Sequence, residues 1–191
     1  LKTATGKLSV VKYDGSSWRV VGTAGFSAGT VSYPSLVISS KDSLYLAYID
    51  GISATNYVYV RGFNGTSWDT VGSASVTSSA SNYTSLRKDD KDTLYVAYED
   101  GSASNKASVK KYNGSSWVNV GSAGISASGT NYESLSVADT GLFLIYEDAN
   151  ASNTATVMSY SRIGNTWTGS SSSSWGTGGN WSTGSAPDSS T

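Results

Sequence analysis

The strongest constraint on this chain is a sequence repeat of about 50 residues. Three tryptophans lie 50 and 49 residues apart, at Trp18, Trp68 and Trp117, and each closes a segment that reads aromatic, Asp or Asn, Gly, two hydroxyl residues, Trp. A glycine follows each tryptophan by four residues and a tyrosine follows it by fifteen; these residues are Gly22, Gly72 and Gly121, then Tyr33, Tyr83 and Tyr132. A period of this length is typical of an array built from one supersecondary unit.

Each repeat is predicted to contain four short strands. In the second complete repeat, runs rich in β-branched and aromatic residues span 83–89, 93–99, 107–112 and 116–121. No window of 11 residues has the i, i+3, i+4, i+7 apolar spacing of an amphipathic helix. The chain is therefore predicted to be all-β.

An Asp-Gly or Asn-Gly pair separates the third strand from the fourth in each repeat. The pairs begin at Asp14, Asn64 and Asn113. Both residue types tolerate positive φ, so the pairs predict two-residue hairpins with type I′ turns.

The second strand of each repeat is predicted to be buried on both faces. Its residues are apolar at consecutive positions, as in 94–98, whereas a half-buried strand would alternate. A four-stranded meander covered on both sides is expected to be a β-propeller blade. The repeat resembles the blades of sialidase-like, Kelch-like and lectin propellers of secreted bacterial proteins; the resemblance covers about residues 7–163 and rests on repeat length, strand order and the position of the tryptophan.

The resemblance implies about three and a half blades in an incomplete ring. The predicted units are an opening half-blade (1–25), three blades (26–75, 76–125 and 126–164) and a Ser/Gly/Trp-rich tail or start of a next module (165–191). Closed propellers have four to eight blades, so an open β-repeat solenoid or a sandwich is the alternative. The half-blade leaves a strand edge that we expect to pair with another copy or with flanking repeats of a longer chain.

Composition excludes several classes of function. The net charge is -1 and the 13 Lys and Arg residues are spread along the repeats, so no nucleic-acid partner is expected. No apolar run is long enough for a membrane span. His and Cys are absent, which removes the Ser-His-Asp triad and most zinc sites, and the four arginines lie at unequal repeat positions. We therefore expect no enzymatic activity.

Three positions with polar or aromatic residues recur in the repeats. They lie at the end of the second strand, at the start of the third strand and at the start of the first strand of the next repeat, and these three points are expected at the same end of the sheets. The predicted ligand-binding residues are Asp50, Asp100 and Asp148, Asn56, Asn105 and Asn153, and Tyr33, Tyr83 and Tyr132. Carboxylate, amide and phenol groups beside an aromatic face suit sugar hydroxyls. The alternative is structural: Asp and Asn fasten loops through Asx-type bonds, and Tyr packs between units. No cofactor is expected, although the oxygen ligands would also suit Ca²⁺.

These patterns favour a non-catalytic, extracellular or cell-surface module that binds a glycan or a cell-surface polymer at several equivalent sites. Repetition would raise avidity for a target that presents several copies of its ligand. Two alternatives stay open: a structural assembly or spacer module without a specific ligand, and an accessory domain of a larger secreted hydrolase.

Overall fold

The computed structural model describes residues 6–52 and 55–161, which form antiparallel β-structure with only short 3-10 turns. This confirms the all-β prediction. The strands are β1 (Val10–Tyr13), β2 (Trp18–Val21), β3 (Val31–Ile38), β4 (Leu44–Asp50), β5 (Tyr57–Phe63), β6 (Trp68–Thr70), β7 (Ser81–Lys88), β8 (Leu94–Asp100), β9 (Lys106–Tyr112), β10 (Trp117–Asn119), β11 (Thr130–Ala138), β12 (Gly141–Asp148) and β13 (Thr154–Ser161).

The described strands form four sheets, each a simple meander in chain order. Sheet 1 is β1–β2, sheet 2 is β3–β4–β5–β6, sheet 3 is β7–β8–β9–β10 and sheet 4 is β11–β12–β13. None of them closes into a barrel within the described residues. The predicted strand order and 50-residue period are confirmed, whereas the domain boundaries and the number of blades stay predictions, and a sandwich-like stack is also compatible. The tail at 165–191 lies outside the described residues.

The hairpins between third and fourth strands differ from the predicted type I′ turn. Only the glycine has positive φ, at 101° for Gly15, 101° for Gly65 and 98° for Gly114. The side chain before it takes up backbone donors instead: Asn64 Oδ1 accepts from Thr66 N at 2.9 Å and Ser67 N at 2.8 Å. The Asx-type bonds hold a four-residue loop, so the Asn or Asp does not need a left-handed backbone.

Each sheet is buried by its neighbours rather than by a core of its own. On β8, Leu94, Val96 and Tyr98 pack into a cluster with residues of sheet 2. The alternate residues Tyr95 and Ala97 pack into a second cluster with residues of sheet 4. This two-sided burial is the arrangement that the continuous apolar run predicted, and β4 shares it. For β12 the prediction is wrong on one face, where Phe143 and Ile145 are each 43% exposed and no described strand packs on them.

Hydroxyl groups join the first strands of successive sheets. Ser35 Oγ accepts from the backbone N–H of Leu86 at 2.9 Å, and Ser85 Oγ accepts from that of Leu135 at 3.0 Å. Both serines lie two residues after a repeated tyrosine. The repeated sequence therefore determines the hydrogen bonds between sheets as well as the strands within each sheet.

The repeated tryptophans of sheets 2 and 3 are buried against the preceding sheet. Trp68 Nε1 donates to the carbonyl of Val21 at 3.2 Å, and Trp117 Nε1 donates to that of Val71 at 2.9 Å. Each indole lies against the glycine that follows the accepting valine, and a Cβ built at Gly72 would come within 3.2 Å of Trp117 and 3.0 Å of Tyr112.

This contact predicts a position-specific cost of adding a methyl group. Gly72→Ala should lower the free energy of unfolding by about 2–4 kcal/mol, because a left-handed backbone strains alanine and the new Cβ overpacks the indole. The matched control is Gly114→Ala, which has the same sign of φ but nothing within 4 Å of its Cβ, and should cost about half as much. Urea denaturation of both variants measures the difference; equal losses would contradict the packing role of Gly72.

Candidate functional site: a tyrosine ladder above buried carboxyl groups

A β-bulge recurs in the first strand of sheets 2, 3 and 4. In sheet 3 the pairing shifts between Asn82 and Ser85, so that Tyr83 and Thr84 together stand opposite Tyr98 of β8. The same shift occurs between Ser32 and Ser35 in sheet 2 and between Asn131 and Ser134 in sheet 4. A bulge of this kind redirects a side chain out of the regular strand alternation.

The first residue of each bulge is the repeated tyrosine, held in a left-handed backbone conformation. The φ values are 50° for Tyr33, 50° for Tyr83 and 55° for Tyr132. Such a conformation costs an aromatic residue on the order of 1–2 kcal/mol, and such strain clusters at functional sites. Three equal outliers show that the strained backbone is a property of the repeat.

The three redirected rings lie side by side and form what we call the tyrosine ladder, defined by Tyr33, Tyr83 and Tyr132. The ring centroids of Tyr33 and Tyr83 are 4.6 Å apart, and those of Tyr83 and Tyr132 are 4.7 Å apart. The outer rings are 40% and 66% exposed for Tyr33 and Tyr132, while Tyr83 between them is half-buried. The structure thus brings the three predicted tyrosines into one continuous aromatic surface.

Burial, followed by a hydrogen bond with Tyr33, raises the pKa of the Tyr83 phenol to about 12. The ring contacts and this hydrogen bond fix the central phenol relative to its neighbour. The centre of the ladder is therefore a preorganised aromatic surface, with the Tyr83 hydroxyl neutral across the physiological pH range.

The predicted aspartates end the second strands and hold loops through short hydrogen bonds. Asp50 Oδ1 accepts from Gly29 N at 2.9 Å, and Asp100 Oδ1 accepts from Ser102 N at 3.0 Å. Asp148 accepts from the Ser128 hydroxyl, a bond that holds the pKa of this carboxyl below its usual range. These bonds fasten each strand end to a neighbouring loop and give a structural reason for the repeated Asp; the ligand-binding role of these residues stays a prediction.

The predicted asparagines use their backbones structurally and keep exposed side chains. Asn56, Asn105 and Asn153 have φ of 50°, 59° and 59°, a region that asparagine tolerates better than most residues. The carbonyl of Asn105 accepts from Thr130 N at 2.9 Å, which links one sheet to the next. The side-chain amides lie at the same end of the sheets as the tyrosine ladder.

One pair of variants distinguishes the structural role of the aspartates from the proposed binding role of the asparagine side chains. Asp100→Ala should lower the free energy of unfolding by about 2–3 kcal/mol, because buried backbone and serine donors lose their acceptor. Asn105→Gly keeps the left-handed backbone and removes only the exposed amide, so it should leave the free energy of unfolding within about 0.5 kcal/mol of the parent value. Loss of ligand affinity in Asn105→Gly with unchanged stability would assign the amide to binding, whereas a large stability loss would contradict this separation.

A buried carboxyl group that the sequence analysis did not single out lies directly beside the ladder. Glu133 follows Tyr132 in the third bulge and is buried, and its Oε1 accepts from the Thr130 hydroxyl. Its Oε2 is enclosed and has no hydrogen-bond partner among the described residues. Burial, with a smaller contribution from the charge of Glu99, raises the pKa of Glu133 to about 7.

Glu99 of the neighbouring sheet forms the other half of this carboxyl pair. It is buried at the end of β8 and accepts from Asn82 Nδ2 at 3.3 Å. Burial raises its pKa, and its charge adds to the effect of burial on the pKa of Tyr83. The pair therefore lies between sheets 3 and 4, close to the ladder.

The signal for this pair was a departure from the repeat. Pro34 and Thr84 occupy the position of Glu133 in the two earlier bulges, and Ile49 occupies the position of Glu99 in sheet 2. A position-by-position comparison of the repeats would have found two acidic residues at the contact between sheets 3 and 4, where the contact between sheets 2 and 3 has none. Buried acids of this kind are concentrated at functional sites.

Metal binding has little support in the described part of the chain. Across residues 6–52 and 55–161, no three Asp, Glu, His or Cys side chains gather closely enough to hold an ion. The carboxylates of Asp50, Asp100 and Asp148 instead accept from neighbouring loop groups. In the same residues, no helix is long and apolar enough to cross a membrane.

Glu133 predicts a pH-dependent stability. Its pKa in the folded protein lies above the ordinary value of 4.5, so its favourable contribution is complete below pH 4.5 and is lost as pH rises through about 7. The loss should be about 3 kcal/mol, and Glu133→Gln should abolish it. Urea titrations at pH values from about 4 to about 8 measure the profile.

The second variant, Glu133→Thr, places here the residue that occupies this bulge position in sheet 3. It should also remove the contribution of Glu133 to the pH dependence, which separates the effect of the charge from the effect of the glutamine amide. The raised pKa of Glu99 leaves a contribution of its own in the parent and in both variants. Parallel pH profiles for the parent and both variants would contradict the assignment to Glu133.

Comparison with known proteins supports the fold. No family model matches the sequence, and no curated protein matches it. One solved structure with a similar fold is the crystal structure of an endo-1,4-β-xylanase from Bacteroides thetaiotaomicron VPI-5482, with a TM-score of 0.51 and 18% sequence identity. The match covers 83% of this chain and 60% of that chain, so this chain spans less than two thirds of its neighbour. The likeness supports an all-β fold shared with a carbohydrate-related protein.

Proposed function

We propose that this protein is a glycan-binding module whose binding surface is the tyrosine ladder. The observation that carries the proposal is the recurrence of a strained, outward-directed tyrosine in three successive bulges, with rings 4.6 and 4.7 Å apart. Packing between the sheets does not explain the exposed rings, because other residues already fill the contact. These residues are Leu86 and Leu135, which lie three residues further along their strands and are buried.

The chemistry of the ladder suits an extended carbohydrate chain. Apolar C–H faces of a sugar ring pack on aromatic rings, and sugar hydroxyls bond to phenols, amides and exposed backbone groups. Tyr33 and Tyr132 offer the exposed rings at the two ends, and Asn105 offers an exposed amide at the same end of the sheets. A linear polymer lying across several sheets would contact more than one ring at once.

We propose that the module binds its ligand without cleaving it. The chain has no His, and the two glutamates with raised pKa, Glu99 and Glu133, are buried between the sheets rather than open to a substrate. A glycosidase needs two carboxyl groups that flank an accessible sugar bond. The structural neighbour is an endo-1,4-β-xylanase, so β-1,4-linked glycans are the first ligands to test, and a place beside a secreted hydrolase is consistent with the same likeness.

A second candidate function is a spacer or assembly module at the cell surface or outside the cell. The observation that favours it is the internal use of Asp50 and Asp100, whose carboxylates hold loops and need no ligand to explain their recurrence. Binding measurements decide between the two functions.

The ladder predicts which tyrosines matter for binding. Tyr132→Ala should weaken binding of xylohexaose about five- to tenfold, because an exposed ring contributes on the order of 1 kcal/mol to stacking on a sugar. Tyr13→Ala is the matched control, since Tyr13 is also more than half exposed but lies on β1 outside the ladder, and it should leave affinity unchanged. Isothermal titration with xylohexaose, cellohexaose and chitohexaose measures both variants.

Equal affinity in the parent and Tyr132→Ala would contradict the ladder as the binding surface. Absence of binding to any of the three oligosaccharides at millimolar concentration, and to the corresponding insoluble polymers in pull-down assays, would favour the spacer function instead.

A further inference from the structure

Two of the three hairpins between third and fourth strands contain an Asn-Gly pair. The pairs are Asn64-Gly65 and Asn113-Gly114, whereas the first hairpin has Asp14 at the position of the asparagine. Glycine has no Cβ, so its backbone nitrogen can approach the side-chain amide carbon of the preceding asparagine without obstruction. Each pair is therefore a candidate for spontaneous loss of the amide group, and the surroundings of the two pairs differ.

Backbone donors hold the side-chain carbonyl of Asn113. Its Oδ1 accepts from Ser115 N at 3.0 Å and from Ser116 N at 2.8 Å. Attack on the amide carbon places negative charge on this oxygen, and N–H groups already directed at it stabilise that charge as an oxyanion hole does. The hairpin therefore presents the Asn113 amide in a polarised form.

The backbone nitrogen of Gly114 is available for this attack. Among the described residues, the N–H of Gly114 donates to no acceptor. A Cβ built at Gly114 would meet nothing within 4 Å, so the space around the pair is open. Asn113 and Gly114 also line a surface depression of about 510 Å³. Water therefore has access to both reacting groups.

The leaving nitrogen distinguishes the two pairs. Asn64 Nδ2 donates to Ser67 Oγ at 2.9 Å and to Asp69 Oδ2 at 2.6 Å. Asn113 Nδ2 makes no hydrogen bond within the described part of the chain, and Val118 occupies the position of Asp69. Departure of ammonia from Asn64 breaks two hydrogen bonds, one of them to a carboxylate, whereas departure from Asn113 breaks none. The Asp69 carboxylate also opposes the negative charge that develops beside it during attack.

We propose that Asn113 is a modification site, which deamidates through a cyclic imide in the folded protein, and that Asn64 is protected. Gly114 N loses its proton to hydroxide and forms a bond with Asn113 Cγ. The bond from Cγ to Nδ2 then breaks, and the nitrogen leaves as ammonia after taking a proton from water. Water opens the imide ring at either carbonyl, so the products are an aspartate and an isoaspartate at position 113. The reaction needs no reactant besides water.

The two products have different consequences for the hairpin. An ordinary aspartate is compatible with it, since Asp14 Oδ1 accepts from two backbone N–H groups of the first hairpin at 2.9 and 2.8 Å. Isoaspartate adds a methylene group to the backbone between Tyr112 and Trp117, which pair across the hairpin. Trp117 donates to the carbonyl of Val71, so isoaspartate at this position disturbs the contact between sheets 2 and 3.

Peptide mapping with tandem mass spectrometry measures conversion at both pairs after incubation of the full 191-residue chain at about pH 8. Asn113 should convert about fivefold faster than Asn64, because the Asn64 amide must first lose its hydrogen bonds. Isoaspartate should accompany aspartate at position 113. The rate should rise with pH, because attack needs the Gly114 nitrogen to lose its proton.

The same measurement in urea separates the effect of the fold from the effect of the local sequence. The two hairpins read Asn-Gly-Thr-Ser and Asn-Gly-Ser-Ser, which differ by one methyl group. The denatured chain should therefore convert at nearly equal rates at the two pairs. A fivefold difference that persists in urea would contradict a structural origin of the protection.

Reciprocal variants test the role of the hydrogen bonds to the leaving nitrogen. Val118→Asp gives Asn113 the acceptor that Asn64 has, and it should slow conversion at Asn113 about fivefold. Asp69→Val removes that acceptor and should accelerate conversion at Asn64 by a similar factor. Both positions lie in the middle of a short fourth strand, and circular dichroism checks that the variants fold.

Three results would overturn the proposal. They are absence of conversion at Asn113 in the folded chain while the denatured chain reacts, equal rates at the two pairs in the folded chain, and aspartate without isoaspartate at position 113. Unchanged rates in both reciprocal variants would overturn the protection assigned to Asp69. These results do not depend on glycan binding, since the hairpins lie at the opposite end of the sheets from the tyrosine ladder.

Discussion

Burial of both faces of the second strands β4 and β8 is the constraint on which the rest of the structure depends. A four-stranded meander with two apolar faces has no core of its own, because a single sheet cannot bury either face against itself. Val96 and Ala97 are neighbours in sequence, yet they belong to different clusters on opposite sides of sheet 3. Stability is therefore a property of contacts between sheets, as in other repeat arrays where each unit is stabilised by its neighbours.

The contacts between sheets explain most of the repeated polar residues. Ser35 and Ser85 join first strands, Trp68 and Trp117 bond to carbonyls of the preceding sheet, and Asp100 fastens a strand end to its loop. Each of these bonds gives a backbone group a side-chain partner, and a backbone group without a partner is costly in a protein interior. Polar residues that recur at the same position of the repeat therefore largely make the same hydrogen bond in each repeat.

Two features of the molecule oppose stability. The tyrosines of the ladder occupy left-handed backbone conformations, and Glu133 is buried with one carboxyl oxygen that has no partner in the described structure. The backbone strain and the buried acid lie in the same bulge of β11, next to the exposed ring of Tyr132. Local departures from stability of this kind are expected at functional sites, and their position supports the proposal that the ladder end of the sheets binds the ligand.

Spacing and local apolar patterns were enough to define the all-β class, the period, the strand order and the two-sided burial of β4 and β8, whereas β12 has the same apolar run but leaves Phe143 and Ile145 exposed. They also placed the repeated Asp, Asn and Tyr positions at one end of the sheets, since antiparallel strands of known order fix which ends meet. The ladder required the folded chain: only a bulge, which no local pattern around Tyr83 announces, turns the rings outward and side by side. The environment of Glu133 likewise depended on Glu99, which belongs to another sheet. The turn at Asn64 differs from the predicted type I′ turn because the Asn64 side-chain oxygen accepts the backbone N–H groups of the loop, so Asn64 needs no left-handed backbone. The Asn-Gly pair is compatible with both turns, so the local sequence does not distinguish them. Contacts across sheets join residues far apart in sequence, so they are decided only when the sheets have packed together.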